Sequence, residues 1–492
     1  MKKLAILNFI TSMFIAFSGV SQNIKLTSEQ DYKSGTRGIY PLADGTFYSY
    51  TFNPNLVLLI FKDEDATPIE KNLKLAANGV KGDFDEFVIV NNKLYVLFET
   101  KKVQHLSLYA QEIDQSGELV GEPKELHSYE IVKKQEYGYF IGMHLRRGRF
   151  NVILSQNKKY LLVENNDNII GAQDGEFRFK VFDENLNAVN EGAYFLRSAV
   201  STAVINSQYL SNTGEFFLSA RIFEKGSTKG LAGAKQVIWS FIGGKLTECN
   251  LEVDEKGLLD FKILVKDGLL TCRGFYANDK KNNLADGVFY AEINPIENTV
   301  DNIKYDEFQQ LQSVAIIEQL DEMEDGSIMM LSQLCFSIGA GVQVGFNNVY
   351  DQVVVSRFET DGRIKWTQFL GNFFQVSFTN DYVKNVIGYS SKNGVYNVLI
   401  NRSIKDLEGK NSNDPTSWTK GDKKDIKDNV LVNLELDLSD GAFTTNKIEL
   451  PMTPGFAMLA EYSCISIDSN IVFLKFGYMS GFGKTCFGRL KL

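Results

Sequence analysis

The sequence predicts an all-β fold, a β-propeller of four-stranded antiparallel blades, and three observations carry that expectation. A strand–turn–strand phrase recurs seven times along the 492 residues. A second hairpin with a tight turn alternates with it, eight times in all. No segment longer than about 12 residues shows a capped helical period; the best helical candidate, "DEFQQLQSVAIIEQL", runs into a strand pattern. Many Phe and Tyr residues with only eight Pro favour strands over disorder.

The first phrase is an alternating strand, a short Asp/Asn/Gly turn and a second strand ending in an apolar residue. Its copies are "LVLLIFKDEDATPIEKNLKL", "LSLYAQEIDQSGELVGEPKEL", "FRFKVFDENLNAVNEGAYFL", "QVIWSFIGGKLTECNLEV", "VFYAEINPIENTVDNIKY", "VVVSRFETDGRIKWTQFL" and "VLVNLELDLSDGAFTTNKIEL". From Asp63 to Asp437 the spacing averages about 62 residues, a long-period repeat. The second hairpin turns at Asp44-Gly45, Asn91-Asn92, Arg147-Gly148, Thr213-Gly214, Asp267-Gly268, Asp325-Gly326, Asn393-Gly394 and Ser469-Asn470. Most of these dipeptides tolerate positive φ, as a tight hairpin requires.

Two hairpins in series make one four-stranded sheet, with strands named a to d in chain order. Sheets repeated around an axis leave only short, protected edges. Eight a–b hairpins against seven c–d hairpins leave the last unit one strand short. Its third strand is the C-terminal "CFGRLKL", and "NIKLTS" near the N-terminus is placed to supply the fourth. Eight blades closed by an N-terminal strand are therefore expected, with seven as the alternative.

The opening "MKKLAILNFITSMFIAFSGVSQN" reads as a signal peptide over residues 1–21. Lys2 and Lys3 precede an apolar run, and the small residues Gly19 and Ser21 precede Gln22. Residues 22–492 then form a single exported propeller domain, periplasmic or extracellular, with no transmembrane segment. The leader carries two lysines and no acid, so its removal takes the net charge from −9 to −11. That balance argues against a nucleic-acid partner. Five scattered cysteines do not make a disulfide scaffold, although Cys464 and Cys486 are close enough in sequence to pair across neighbouring strands. The three histidines crowd one short region: His105 in an alternating strand, His127 at the start of a loop, and His144.

In such a sheet the a–b and c–d turns open on one face of the disc and the b–c and d–a connections on the other. The first set is tight. The b–c set includes "EKGSTKGLAGAK", "ANDKKNNLAD", "FSIGAGVQVGFNN" and a charged stretch around residues 404–427. Long loops on a rigid scaffold are the usual place for binding residues. Lys229, Lys280, Phe346, Tyr350 and Trp418 are the candidate contacts on that elaborated face, for a protein or glycan partner.

Sharper chemical readings fail on spacing. Asp183, Asn185 and Asn187 imitate the first half of a calcium loop, but Ala188 and Tyr194 stand where an EF-hand needs Gly and Glu. The equivalent turns elsewhere keep permissive backbone residues and not carboxylates, so a hairpin turn is expected. "SGFGKT" has Tyr478 where a phosphate loop needs its first glycine, and "GAGVQVG" lies outside any βαβ pattern. No catalytic, cofactor or metal-binding motif is present. A pair of acidic residues meeting at the axis, as in glycoside hydrolases, is the alternative that spacing cannot select.

"FKVFDENLNAV", "NTGEFFLSARIF" and "ETDGRIKW", the leader ending in Ser-Gln, and the ending "FGRLKL" together resemble a broad group. These are uncharacterised exported proteins of Bacteroidota-type bacteria that look like repeat β-propellers. The resemblance implies an exported propeller and carries over no activity and no functional residue. The expected function is a non-catalytic binding or scaffolding role, with a carbohydrate-active hydrolase or lyase as the alternative.

Overall fold

The computed structural model describes residues 24–491 apart from 28–29, 33–35, 53–54, 63–66, 104, 131–149, 166–175, 196–200, 225–233, 252–254, 267–268, 281–283, 309–313, 341–343, 377–385, 392–394, 404–428, 449–455, 459–462, 467–469 and 479–482. The chain is an eight-bladed β-propeller of four-stranded antiparallel blades. Blades 1 to 7 begin at the strands Thr36–Pro41, Asp83–Val90, Phe150–Leu154, Ser201–Leu210, Gly257–Lys266, Val314–Glu322 and Val386–Ser391. They end at Ile69–Leu73, Leu119–Glu130, Ala188–Phe195, Lys245–Asn250, Thr299–Glu307, Ile364–Val376 and Phe443–Ile448. A two-stranded ribbon, Ala76–Ala77 with Val80–Lys81, fills the join between blades 1 and 2.

Blade 8 is assembled from both ends of the chain, as the strand count predicts. Its first position is shared by Phe456–Met458 and Cys464–Ser466, followed by Ile471–Tyr478 and Gly483–Lys491. The fourth position is Ile24–Leu26, with Ile24 opposite Leu490 and Leu26 opposite Gly488. Gln30–Tyr32 continues along the same C-terminal strand.

Period-2 alternation explains how one strand serves two joints. In blade 4, Phe216 and Val237 pack towards blade 3, while their chain neighbours Phe217 and Ile238 pack towards blade 5. The same alternation gives an apolar cluster in every joint, from blades 1 and 2 round to blades 8 and 1. Burying one Leu or Phe contributes about 1.5–3 kcal/mol, so these joints outweigh any single turn.

The tight turns are closed by Asx geometry. At Asp114 the carboxylate accepts from the backbone N–H groups of Ser116 and Glu118, at 2.9 Å each. Gly117 sits at φ 83°, where a Cβ would be strained. Asp183 does the same for Asn185 and Asn187, at 2.9 and 2.8 Å, so this turn uses its carboxylate to hold backbone.

Several local expectations are corrected. The a–b turn of blade 3 is not Arg147-Gly148, which lies outside the described residues. It spans residues 155–160, where the Ser155 N–H donates to the Tyr160 carbonyl. "SVAIIEQL" is strand, and no helix occurs among the described residues. His127 lies inside Leu119–Glu130 and does not start a loop. It is buried, with Nε2 3.0 Å from the Arg178 carbonyl, because the strand runs on through "HSYE". Cys464 and Cys486 pair in register with Phe473 and Phe476 on opposite sides of one strand, and both are free thiols.

Candidate functional site

The first strands of successive blades lie side by side around the axis, so the channel is lined by sheet edges whose backbone groups lack a ladder partner. Three of these edges are capped from the preceding blade. Asn206 donates to the Phe261 carbonyl at 3.0 Å, and the Ile317 N–H donates to Asp260 at 2.7 Å. Gln319 donates to the Gly388 carbonyl at 2.9 Å and accepts from the Gly388 N–H at 3.4 Å. Register shifts on these first strands fall between Ile205 and Ser207, Leu258 and Phe261, and Ile317 and Gln319. A bulge places its extra residue outside the ladder, which frees Asn206 and Asp260 to reach across the joint.

A cavity of about 270 Å³ opens in the channel. It is lined by residues 153, 154 and 156 of blade 3, 207–210 of blade 4, 262–264 of blade 5 and 318–320 of blade 6. All lie a few residues before their a–b turns, or in that turn for Gln156. The cavity therefore belongs to the half of the channel nearer the tight-turn face. Its walls are mostly aliphatic, with amides from three Gln residues, one cation (Lys262) and one carboxylate (Glu318).

Behind this lining lies a set of buried polar groups. Glu164 accepts from Asn151 Nδ2 at 2.8 Å, Gln208 Nε2 at 2.7 Å and the Tyr194 hydroxyl at 2.7 Å. Burial raises its carboxyl above the ordinary glutamate value, and the three donors only partly oppose that. Asp260 is likewise raised by burial, against the pull of Lys262, the Ile317 N–H and Arg221. Gln333 donates to Glu318. Arg273 is 2% exposed and has its charge spread over the Tyr290 and Phe358 rings, at 4.9 and 5.8 Å. Its Nη1 donates to Thr271 at 2.6 Å, and burial lowers it to about 10. Glu164, Arg221, Arg273, Gln333 and Lys475 all stand four to six residues into the second strand of their blades.

Sequence reasoning missed this set, although a signal was present. A charge or amide interrupts an apolar run at a nearly fixed distance from the turn in "YLLVENN", "EFFLSARIF", "LLTCRGFY", "SIMMLSQLC" and "IVFLKFGY".

The elaborated face is built differently. In blade 6, Ile328–Ala340 and Val344–Phe358 form one long hairpin, paired out to Ala340 with Val344, and Ile364–Val376 follows it as a third strand. Phe346 and Tyr350 therefore lie on a strand and not on the loop expected for "GAGVQVGF". The cause is continued pairing: Tyr350 stands opposite Cys335 and Phe374. Lys280 is exposed at the start of the blade 5 b–c connection. Lys229, Trp418 and His144 lie outside the described residues.

Among the described residues no group of three or more His, Cys, Asp or Glu is placed to hold a metal ion. Nor is any helix among them long and apolar enough to cross a membrane. No family model and no curated protein matches the chain. Solved structures align with it at low identity. The WD40 domain of SCAP from fission yeast does so at 10% identity, with 95% of this chain and 97% of that one covered and a TM-score of 0.40. The polysaccharide lyase Uly1 aligns at 13%, with 95% and 100% covered and a TM-score of 0.39. Oligogalacturonate lyase in complex with manganese aligns at 8%, with 83% and 96% covered and a TM-score of 0.35. Likenesses at this level carry no argument about substrate or partner.

Proposed function

We infer that the protein is an exported, non-catalytic binding propeller that engages a protein or glycan through its b–c face. The leader-like residues 1–21 support export to the periplasm or cell exterior. The observation that carries the binding reading is the asymmetry of the disc. Tight turns close one face, whereas on the other blade 6 extends strands of 13, 15 and 13 residues into a three-stranded wing. Typical strands run about 5–6 residues, and a wing of this length adds surface without being needed to close the blade. The hydrolase alternative uses two carboxylates facing one substrate, and among the described residues that line the channel cavity one is acidic, Glu318.

Replacing residues 336–348 with a two-residue turn tests the reading. Residues 22–492 and the shortened variant are applied to immobilised glycans and to purified envelope proteins of the producing cell. Capture of a defined component that disappears with the wing, while the melting transition is retained, is the expected result. Equal capture by both forms, or turnover of a glycan by the purified protein, contradicts it.

A further inference from the structure

The b–c face carries more than the blade 6 wing. Large apolar side chains protrude from it on blades 1, 2 and 3. Phe52 ends the second strand of blade 1 and is 53% exposed. Val103 lies in the turn after the second strand of blade 2 and is 86% exposed. Phe195 ends the fourth strand of blade 3 and is 56% exposed. Second and fourth strands both finish at this face, so all three are tips on one side of the disc.

Val103 is the least expected of them. The pairing of Lys102 with His105 sets a two-residue turn, and Val103 takes φ 58° in it. A β-branched side chain adopts that conformation only at a steric cost, and other tight turns of this chain use Asn there, as at Asn91, Asn92 and Asn470. Val103 gains no burial within the chain that would offset the cost. Cations stand around it. Lys101 and Lys102 lead into the turn, and Lys74 and Lys81 lie in the join between blades 1 and 2. All four are exposed, and none has a hydrogen bond, ion pair or electrostatic partner among the described residues. The exposed acids at the same strand ends are Asp83 and Glu130, so this sector is positive on a chain of net charge −9. At blade 3, Glu176 stands opposite Phe195, so the cationic sector belongs to blades 1 and 2.

We propose that blades 1 to 3 seat this face of the disc on an anionic lipid surface. Phe52, Val103 and Phe195 enter the boundary between headgroups and acyl chains, and the four lysines meet lipid phosphates. Separate tips on three blades offer a folded partner no continuous apolar patch, whereas a fluid interface closes round each tip independently. Aromatic rings favour that boundary, and lysines near an anionic surface add an attraction that salt weakens. The inference goes beyond the binding reading and does not rest on the wing; a partner held by the wing would be met beside the membrane.

The test is co-sedimentation of residues 22–492 with vesicles of phosphatidylcholine alone and of phosphatidylcholine and phosphatidylglycerol in equal parts. Binding to the mixed vesicles is expected, at least about tenfold tighter than to the neutral ones and weakened by added salt. Lys101→Glu combined with Lys102→Glu should weaken it by about tenfold or more. Val103→Asn should weaken it several-fold while holding or raising the melting temperature, because Asn tolerates positive φ. The wing-shortened variant should bind vesicles as the native protein does, so loss of partner capture and loss of lipid binding are read separately. No binding to the mixed vesicles, equal binding to both kinds, or undiminished binding by the folded lysine or Val103 variants would overturn the proposal. So would loss of vesicle binding on shortening the wing, which would place the lipid contact there.

Discussion

Blade 8 and blades 1 to 7 contain the same four-stranded sheet, yet they are held together differently. In each contiguous blade the strands follow one another in the chain. In blade 8 the fourth strand arrives from the other end of the sequence, and only ladder hydrogen bonds and side-chain packing hold it. Ile24 and Leu26 pack on the cluster containing Leu474, Phe476 and Leu490, and Phe487 donates its N–H to the Thr27 hydroxyl at 3.0 Å. Closure of the ring is therefore a tertiary event with a large loop-entropy cost, whereas each other blade forms from near neighbours. The difference teaches that closure of the ring, unlike the formation of any single contiguous blade, depends on one seam.

The strongest way to break the comparison is to remove residues 22–32. This exposes the C-terminal strand and uncovers its side of the joint, so a loss of several kcal/mol and a broadened urea transition are expected. A narrower wedge is Gly488→Ala. A Cβ there lies 2.8 Å from Ile24 and 2.9 Å from Phe476, and overpacking of this kind costs about 1–3 kcal/mol. Hydrogen exchange at Ile24–Leu26 should rise with it. Gly362→Ala is the matched change in a contiguous blade. Gly362 sits at φ 81°, and a Cβ would meet the Tyr290 ring at 2.1 Å. It should also cost stability, but without raising exchange at the seam.

A polar joint sharpens the contrast further. Burial raises the Glu164 carboxyl, so the folded state binds its proton more tightly than the unfolded chain does. Its contribution is then fully present below the unfolded glutamate value and lost as pH rises through the raised folded value. Urea midpoints measured across that range should fall with pH in the native protein and fall less in Glu164→Gln. The smallest effect is expected at Asp183→Ala, which removes a turn cap from an exposed position and costs about 1 kcal/mol. Added calcium should leave the melting temperature of the native protein unchanged.

The blade count and the seam were legible because both are written locally. Turn dipeptides such as Asp44-Gly45 and alternating runs such as "QVIWSFIGG" mark hairpins without tertiary knowledge. Counting hairpins then exposes the missing strand. Blade 3 was misread because Arg147-Gly148 satisfies turn chemistry, while the true turn at residues 155–160 carries Lys158 at φ 55° and no glycine. Phe346 and Tyr350 were misplaced because glycines in "GAGVQVGF" suggest a loop, and continued pairing overrides them. The cavity was illegible for a different reason. Lys262 and Glu318 are 56 positions apart, and the bonds fixing Gln208 and Gln319 span 44 and 69 positions. Alternation says which side of a strand a residue leaves, but not what it meets in the next blade.

The seam is tested most directly by a cross-link between its strands. Ile24→Cys with Leu490→Cys joins residues that stand opposite each other in register, while Cys464 and Cys486 remain in place as free thiols. Under mild oxidation the doubly substituted protein should form one intramolecular disulfide, identified by peptide mass, and should melt at a higher temperature than its reduced form. Failure of residues 24 and 490 to join in the folded monomer, or joining with no gain in melting temperature, would contradict closure of the ring by the N-terminal strand.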